Sequence, residues 1–140
     1  MDRKSYLFNL RQNGLLKGQK PCFITLKQNY GKIYNGGTAD YIMSYRDGVL
    51  YFQKISFFLK RLQPKEDFTI HTDRFIEYKF TDKTFMTILS LYDKENKFIE
   101  IYYQKGTIET ASTEDNIQRI VDIMKEHGLK EESINEEGND

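Results

Sequence analysis

From Cys22 onward apolar and polar positions alternate. Cys22, Ile24 and Leu26 fall on one side and Phe23, Thr25 and Lys27 on the other. A period of two marks a half-buried strand, which Asn29-Tyr30-Gly31 ends. After the Asn35-Gly36-Gly37 loop, Tyr41 to Arg46 and Val49 to Ile55 flank Asp47-Gly48. Asp-Gly between strand-like runs is the preferred chemistry of a two-residue type I′ hairpin, since both central residues take positive φ. Pro64 interrupts regular structure in residues 56–65. Phe68–His71 is a short strand. Phe75–Phe80 follows, with Ile76, Tyr78 and Phe80 expected on the core side. Phe85–Tyr92 and Phe98–Gln104 complete the series, each separated by a polar turn.

The period then changes. Ile117, Ile120, Val121 and Met124 recur at i, i+3, i+4 and i+7, one apolar stripe of a helix. Ser112 or Thr113 is the expected N-cap, Glu114 and Asp115 suit the positive end of the dipole, and Gly128 is the stop signal. Near the N-terminus, Tyr6, Leu7, Phe8 and Leu10 suggest an amphipathic turn that Gly14 and Gly18 keep short. Three segments result: an arm or short helix over 1–20, a β domain with its closing helix over 21–128, and an acidic tail over 129–140, expected to be disordered.

The fold class is therefore mainly β with one C-terminal α-helix. About seven hairpin-linked strands sealed by a final helix resemble the pleckstrin-homology-like (PH-like) domain, in particular its small bacterial members. The resemblance covers residues 22–128 and rests on element order. It implies a bent antiparallel seven-stranded barrel capped by the helix. Other α+β rolls and a lipocalin-like barrel are the alternatives. Lipid-binding members of that family cluster Lys and Arg around the loop between the first two strands. Here that region offers Lys27, Lys32 and Arg46, diluted by Asp40 and Asp47, and the chain has no Trp. Headgroup binding at that loop is not expected.

Composition narrows the function classes. The 140 residues carry no net charge, so no one-signed field for nucleic acid is present. The ends differ from the middle. Residues 1–20 hold Arg3, Lys4, Arg11, Lys17 and Lys20 against Asp2, a net of +4. Residues 130–140 hold Lys130 against Glu131, Glu132, Glu136, Glu137 and Asp140, a net of −4. One cysteine and two histidines offer no disulfide and no metal cluster. Neither a signal-peptide core nor a membrane-length apolar run is visible, so a cytoplasmic setting is expected.

Each candidate for chemistry has a plainer reading. His71 and Asp73 could form a general-base pair, but Phe68 and Ile70 claim the core side and leave both facing solvent. Cys22 shares a face with Ile24 and Leu26 and reads as a small buried residue. Gly36-Gly37 lacks the spacing of a phosphate loop. Tyr41, Tyr45 and Tyr51 are expected to share a face and pack in the sheet. The most suggestive surface is Phe57, Phe58, Lys60 and Arg61, with Lys65 beyond. Apolar residues beside cations suit an anionic membrane or a protein groove.

The sequence thus leads to a non-enzymatic binding or scaffolding module acting through protein–protein contacts or self-assembly. No catalytic residue, metal or cofactor is expected. Peripheral membrane docking through Phe57–Arg61 and a small-ligand barrel or enzyme are the alternatives.

Overall fold

Alternation decides most of the strands, and the turns between them decide their order. The computed structural model describes residues 3–28, 38–56, 61–105 and 111–132. Helix α1 (Arg3–Gln12) leads into β1 (Gln19–Gln28), β2 (Thr38–Arg46) and β3 (Val49–Ser56). Strands β4 (Arg61–Leu62) and β5 (Phe68–His71) follow, with a 3₁₀ turn at Pro64–Glu66 between them. A second 3₁₀ turn, Thr72–Arg74, leads to β6 (Phe75–Asp82), then β7 (Met86–Asp93) and β8 (Phe98–Gln104). Helix α2 (Ala111–Glu126) and β9 (Lys130–Glu131) end the described chain.

All strands join one sheet in the order β4-β3-β2-β1-β8-β7-β6-β9, with β5 also on β3. Every pairing is antiparallel except that of β9 with β6. Strands β5 and β6 lie at opposite ends of this order, yet a three-residue turn joins them. The sheet must curve back on itself for the chain to make that step. No ladder among the described residues joins those two strands, so the sheet is bent and not closed.

The expected seven-stranded barrel is corrected to an open sheet of nine strands among the described residues. The two additional strands, β4 and β9, are two residues each. Neither is long enough to show a period in the sequence.

The β2–β3 turn has Asp47 at φ 50° and Gly48 at φ 82°, the two positive values a type I′ turn needs. The concave face holds the main core, where Ile24, Leu26, Met43, Phe52, Leu89 and Ile101 are buried. Ile117, Ile120, Val121 and Met124 of α2 fill its open side. The expected cap at Thr113 is not its role. Thr113 is buried inside the first turn, and its Oγ1 accepts a hydrogen bond from Phe23 N at 3.1 Å. Asn116 Nδ2 donates to Pro21 O at 3.0 Å. Both bonds tie the start of α2 to β1. The other end closes as a Schellman motif. Gly128 has φ 112°, its N–H bonds Lys125 O, and Leu129 N bonds Met124 O. That turn throws Lys130 and Glu131 beside β6.

Two further readings change. Tyr41 and Tyr45 pack toward the main core, but Tyr51 pairs with Ser44 on the opposite face. In β6 a register shift between Phe75 and Glu77 inverts the start of the strand. Phe75 is buried and Ile76 is 46% exposed. Of the expected tail, residues 133–140 lie outside the described residues, as do Gly36-Gly37. Among the described residues no helix is long and apolar enough to cross a membrane.

Candidate functional site

The convex face of the sheet carries a second, smaller core of Phe23, Ile42 and Ile55. Helix α1 covers it with Leu7 and Leu10, and Tyr6, Leu16 and Leu62 pack at its edge. The Tyr6 and Phe23 rings lie 6.4 Å apart. Leu7 and Leu10 are three apart, so one side of α1 is spent on the sheet.

The opposite side of α1 is unusual. Phe8 is 57% exposed and Leu15, just past the helix, is 47% exposed. Arg11 is exposed between them in the chain. From Arg3 to Lys20 the sequence has five cations and no carboxylate. Exposed apolar side chains and a surplus of positive charge thus fall in one stretch of the chain.

The segment after α1 is held firmly. Gly14, at φ 67°, ends the helix, with Gly14 N bonded to Arg11 O and Leu15 N to Leu10 O. The buried Gln53 then clamps the chain from both sides. Its Oε1 accepts from Lys17 N at 3.1 Å, and its Nε2 donates to Leu15 O at 2.9 Å. Lys17 Nζ lies 3.6 Å from Asp67 Oδ2. Gly18 is required by close approach. A Cβ there would stand 2.7 Å from Ser44 Oγ and 2.8 Å from Tyr45 N.

Strand β1 then begins irregularly. Its register against β2 shifts between Gln19 and Cys22, and Lys20 has φ 57°. Left-handed backbone at a residue with a long side chain costs about 1–2 kcal/mol. Arg11, Leu16, Gly18, Gln19, Lys20 and Pro21 line a cleft of about 280 Å³ between α1 and this irregular start.

Of the residues singled out in the sequence, Phe57, Phe58 and Lys60 lie outside the described residues. Arg61 opens β4 and Lys65 sits in the 3₁₀ turn, both exposed. Ile55 and Leu62, which bracket that segment, both pack in the core under α1. His71 and Asp73 are exposed and border a groove of about 400 Å³ with His127 and Asp47. No group of three or more His, Cys, Asp or Glu side chains among the described residues is arranged to hold a metal. Cys22 is fully buried, and burial pushes its thiol pKa up. It is therefore a protonated core residue.

The sequence suggests a short N-terminal helix but does not single out its exposed side as a site. Its signal was the pairing of Phe8 and Leu15 with a run of cations that no carboxylate interrupts. Phe85, 81% exposed at the tip before β7, was missed as well. The sequence places it at the start of the Phe85–Tyr92 strand, which in the structure begins at Met86.

No protein-family model and no curated protein matches this chain. Among solved structures, the chain is similar to the hSac2 domain from the human phosphoinositide phosphatase Sac2. The likeness has a TM-score of 0.50 at 12% identity and covers 100% of this chain and 94% of that one. At that identity it shows a shared fold. A neighbour drawn from a phosphoinositide phosphatase overturns the expectation of a non-enzymatic scaffold acting through protein contacts or self-assembly.

Proposed function

We propose that this chain is a peripheral domain that recognises an anionic, phosphoinositide-bearing membrane surface through the outward face of α1. The observation that carries the reading is the exposure of Phe8 and Leu15 within a stretch of five cations and no carboxylate. Apolar side chains enter the headgroup boundary, while cations gain about 1 kcal/mol each near an anionic leaflet. The likeness to a domain of a phosphoinositide phosphatase supports the lipid class. The strand order and closing helix α2 support a PH-like assignment of the fold. The setting is the cytoplasmic leaflet. The surface binds the headgroup, and no hydrolysis is assigned to it.

Phe85, just before β7, is a further exposed apolar side chain. Met86, next to it, and Phe23 line one cavity of about 170 Å³, and Phe23 meets Tyr6 of α1. Its tip is fixed by Lys83 N to Met86 O at 2.8 Å and Lys105 N to Phe85 O at 3.2 Å.

Vesicle co-sedimentation tests the reading. The parent should bind phosphatidylcholine vesicles carrying a phosphoinositide, not phosphatidylcholine alone, and should be released by salt. The double variant Phe8→Asp/Leu15→Asp should bind at least about tenfold more weakly. Both positions are exposed, so the fold should survive. Equal binding by variant and parent, or equal binding to neutral and anionic vesicles, would sink the reading.

A further inference from the structure

We propose that the cleft between the end of α1 and the start of β1 binds a phosphate monoester, with Arg11 and Lys20 as its cationic walls. The inference takes its ligand class from the anionic-lipid reading above and its place from geometry of its own.

Three observations converge on the cleft. Its lining carries two cations and no carboxylate, in about 280 Å³. A bare phosphate occupies less space than that, and a phosphorylated ring headgroup can enter in part. Arg supplies a planar fork of N–H donors and Lys a mobile point charge, the two complementary ways to hold a phosphate.

The second observation is backbone strain. Lys20 is a residue with a long side chain at φ 57°. The extra residue that β1 carries against β2 falls between Gln19 and Cys22. Bulges of this kind re-aim a side chain, and left-handed strain of this kind collects at ligand sites. Glycine would take the same backbone without cost, yet the sequence places a lysine there.

The third is rigidity. Gln53 holds Leu15 and Lys17, and Gly18 lies directly on Ser44 and Tyr45. The wall that carries Lys20 is therefore fixed relative to the sheet. The backbone that carries Arg11 is anchored through the burial of Leu7 and Leu10. A site held in place before its ligand arrives loses less entropy on binding. Lys20 stands near the start of β1, at the other end of that strand from the loop to β2.

Calorimetry on the full chain with a soluble inositol bisphosphate is the test, with Lys20→Gly and Arg11→Gln as variants. Lys20→Gly removes the cation and relieves the strained backbone, so its unfolding midpoint should match or exceed the parent's. A loss of binding there is not a loss of fold. Each single variant should weaken binding at least tenfold, and the double variant should abolish it. Parent-like affinity in both single variants, or no binding by the parent, overturns the proposal. Binding at least tenfold tighter to phosphoinositide vesicles than to the soluble ring assigns the site to a lipid headgroup. Equal affinity assigns it to a free phosphorylated metabolite, with the cleft still established. The two readings separate cleanly. Loss of the soluble ligand in Lys20→Gly, with vesicle binding unchanged in Phe8→Asp/Leu15→Asp, keeps the cleft and removes the membrane face. Parent-like calorimetry in both Lys20→Gly and Arg11→Gln, with vesicles lost in the Asp variant, does the reverse.

Discussion

Cys22 shows how much one side chain can report about this core. Its thiol is fully buried on β1, and burial raises its pKa, as burial also raises those of Tyr103, Tyr6 and Tyr102. Near Tyr103 the Glu114 charge adds to the effect, and near Tyr102 a hydrogen bond to Glu100 does. All four are held neutral in the folded chain. Raised folded pKa values mean that their stabilisation is complete below the unfolded values. It is lost as pH rises from there through the folded values. Unfolding free energy should therefore be flat near neutrality and fall from about pH 8.5 upward. Cys22→Ala should reduce the initial slope, by at most about 1.4 kcal/mol per pH unit. Urea melts of parent and variant at several alkaline pH values check this. An identical slope in both would contradict the burial argument. At this scale the sequence was a good guide where alternation is regular, as at Cys22, Ile24 and Leu26. It failed at Ile76, because a register shift beside Phe75 inverts the pattern locally. It failed again at Tyr51, because residues 45 and 51 are separated by a turn that resets the face.

At the scale of elements, α2 and the β2–β3 hairpin were the most legible parts. Their signals are local: a 3.6-residue stripe with a terminal glycine, and Asp-Gly between strands. The stripe also predicts an energy. Ile120→Ala removes a buried side chain from the side of the core that α2 closes. It should cost about 2–5 kcal/mol and lower the thermal midpoint accordingly. A loss under 1 kcal/mol in chemical denaturation would mean that α2 is not the closing element. Strands β4 and β9 could not be read, since each exists only through its partner. Helix α1 was half legible. Gly14 was rightly a stop, as the backbone bonds at Leu10 and Arg11 show. That its inner face covers Phe23, Ile42 and Ile55 was not legible, because those residues come from three different strands.

At the scale of the whole molecule, zero net charge concealed a division that matters. The cations of residues 3–20 belong to α1 and the segment that leads into β1, the stretch that also holds the exposed Phe8 and Leu15. The sequence pointed instead to Phe57, Phe58, Lys60 and Arg61 as the apolar and basic cluster. Both clusters satisfy the same chemical pattern, and periodicity alone cannot tell which is outward. The sheet takes one side of α1 and leaves Phe8 exposed, whereas Phe57, Phe58 and Lys60 lie outside the described residues. The cleft at Lys20 was the least legible feature. It depends on a backbone angle and a bulge, neither of which has a composition signal.

The chain lacks tryptophan, which makes the most direct measurement simple. Phe8→Trp places a single tryptophan, selectively excited above the tyrosine band, on the outward face of α1. On titration with phosphoinositide-bearing vesicles, its emission should shift to the blue and be quenched by lipids brominated on their acyl chains. The shift should shrink as salt rises, within the range where screening falls to about 10 Å. An emission spectrum unchanged by those vesicles, in a variant that still folds, would contradict the account of α1 as the membrane-facing element.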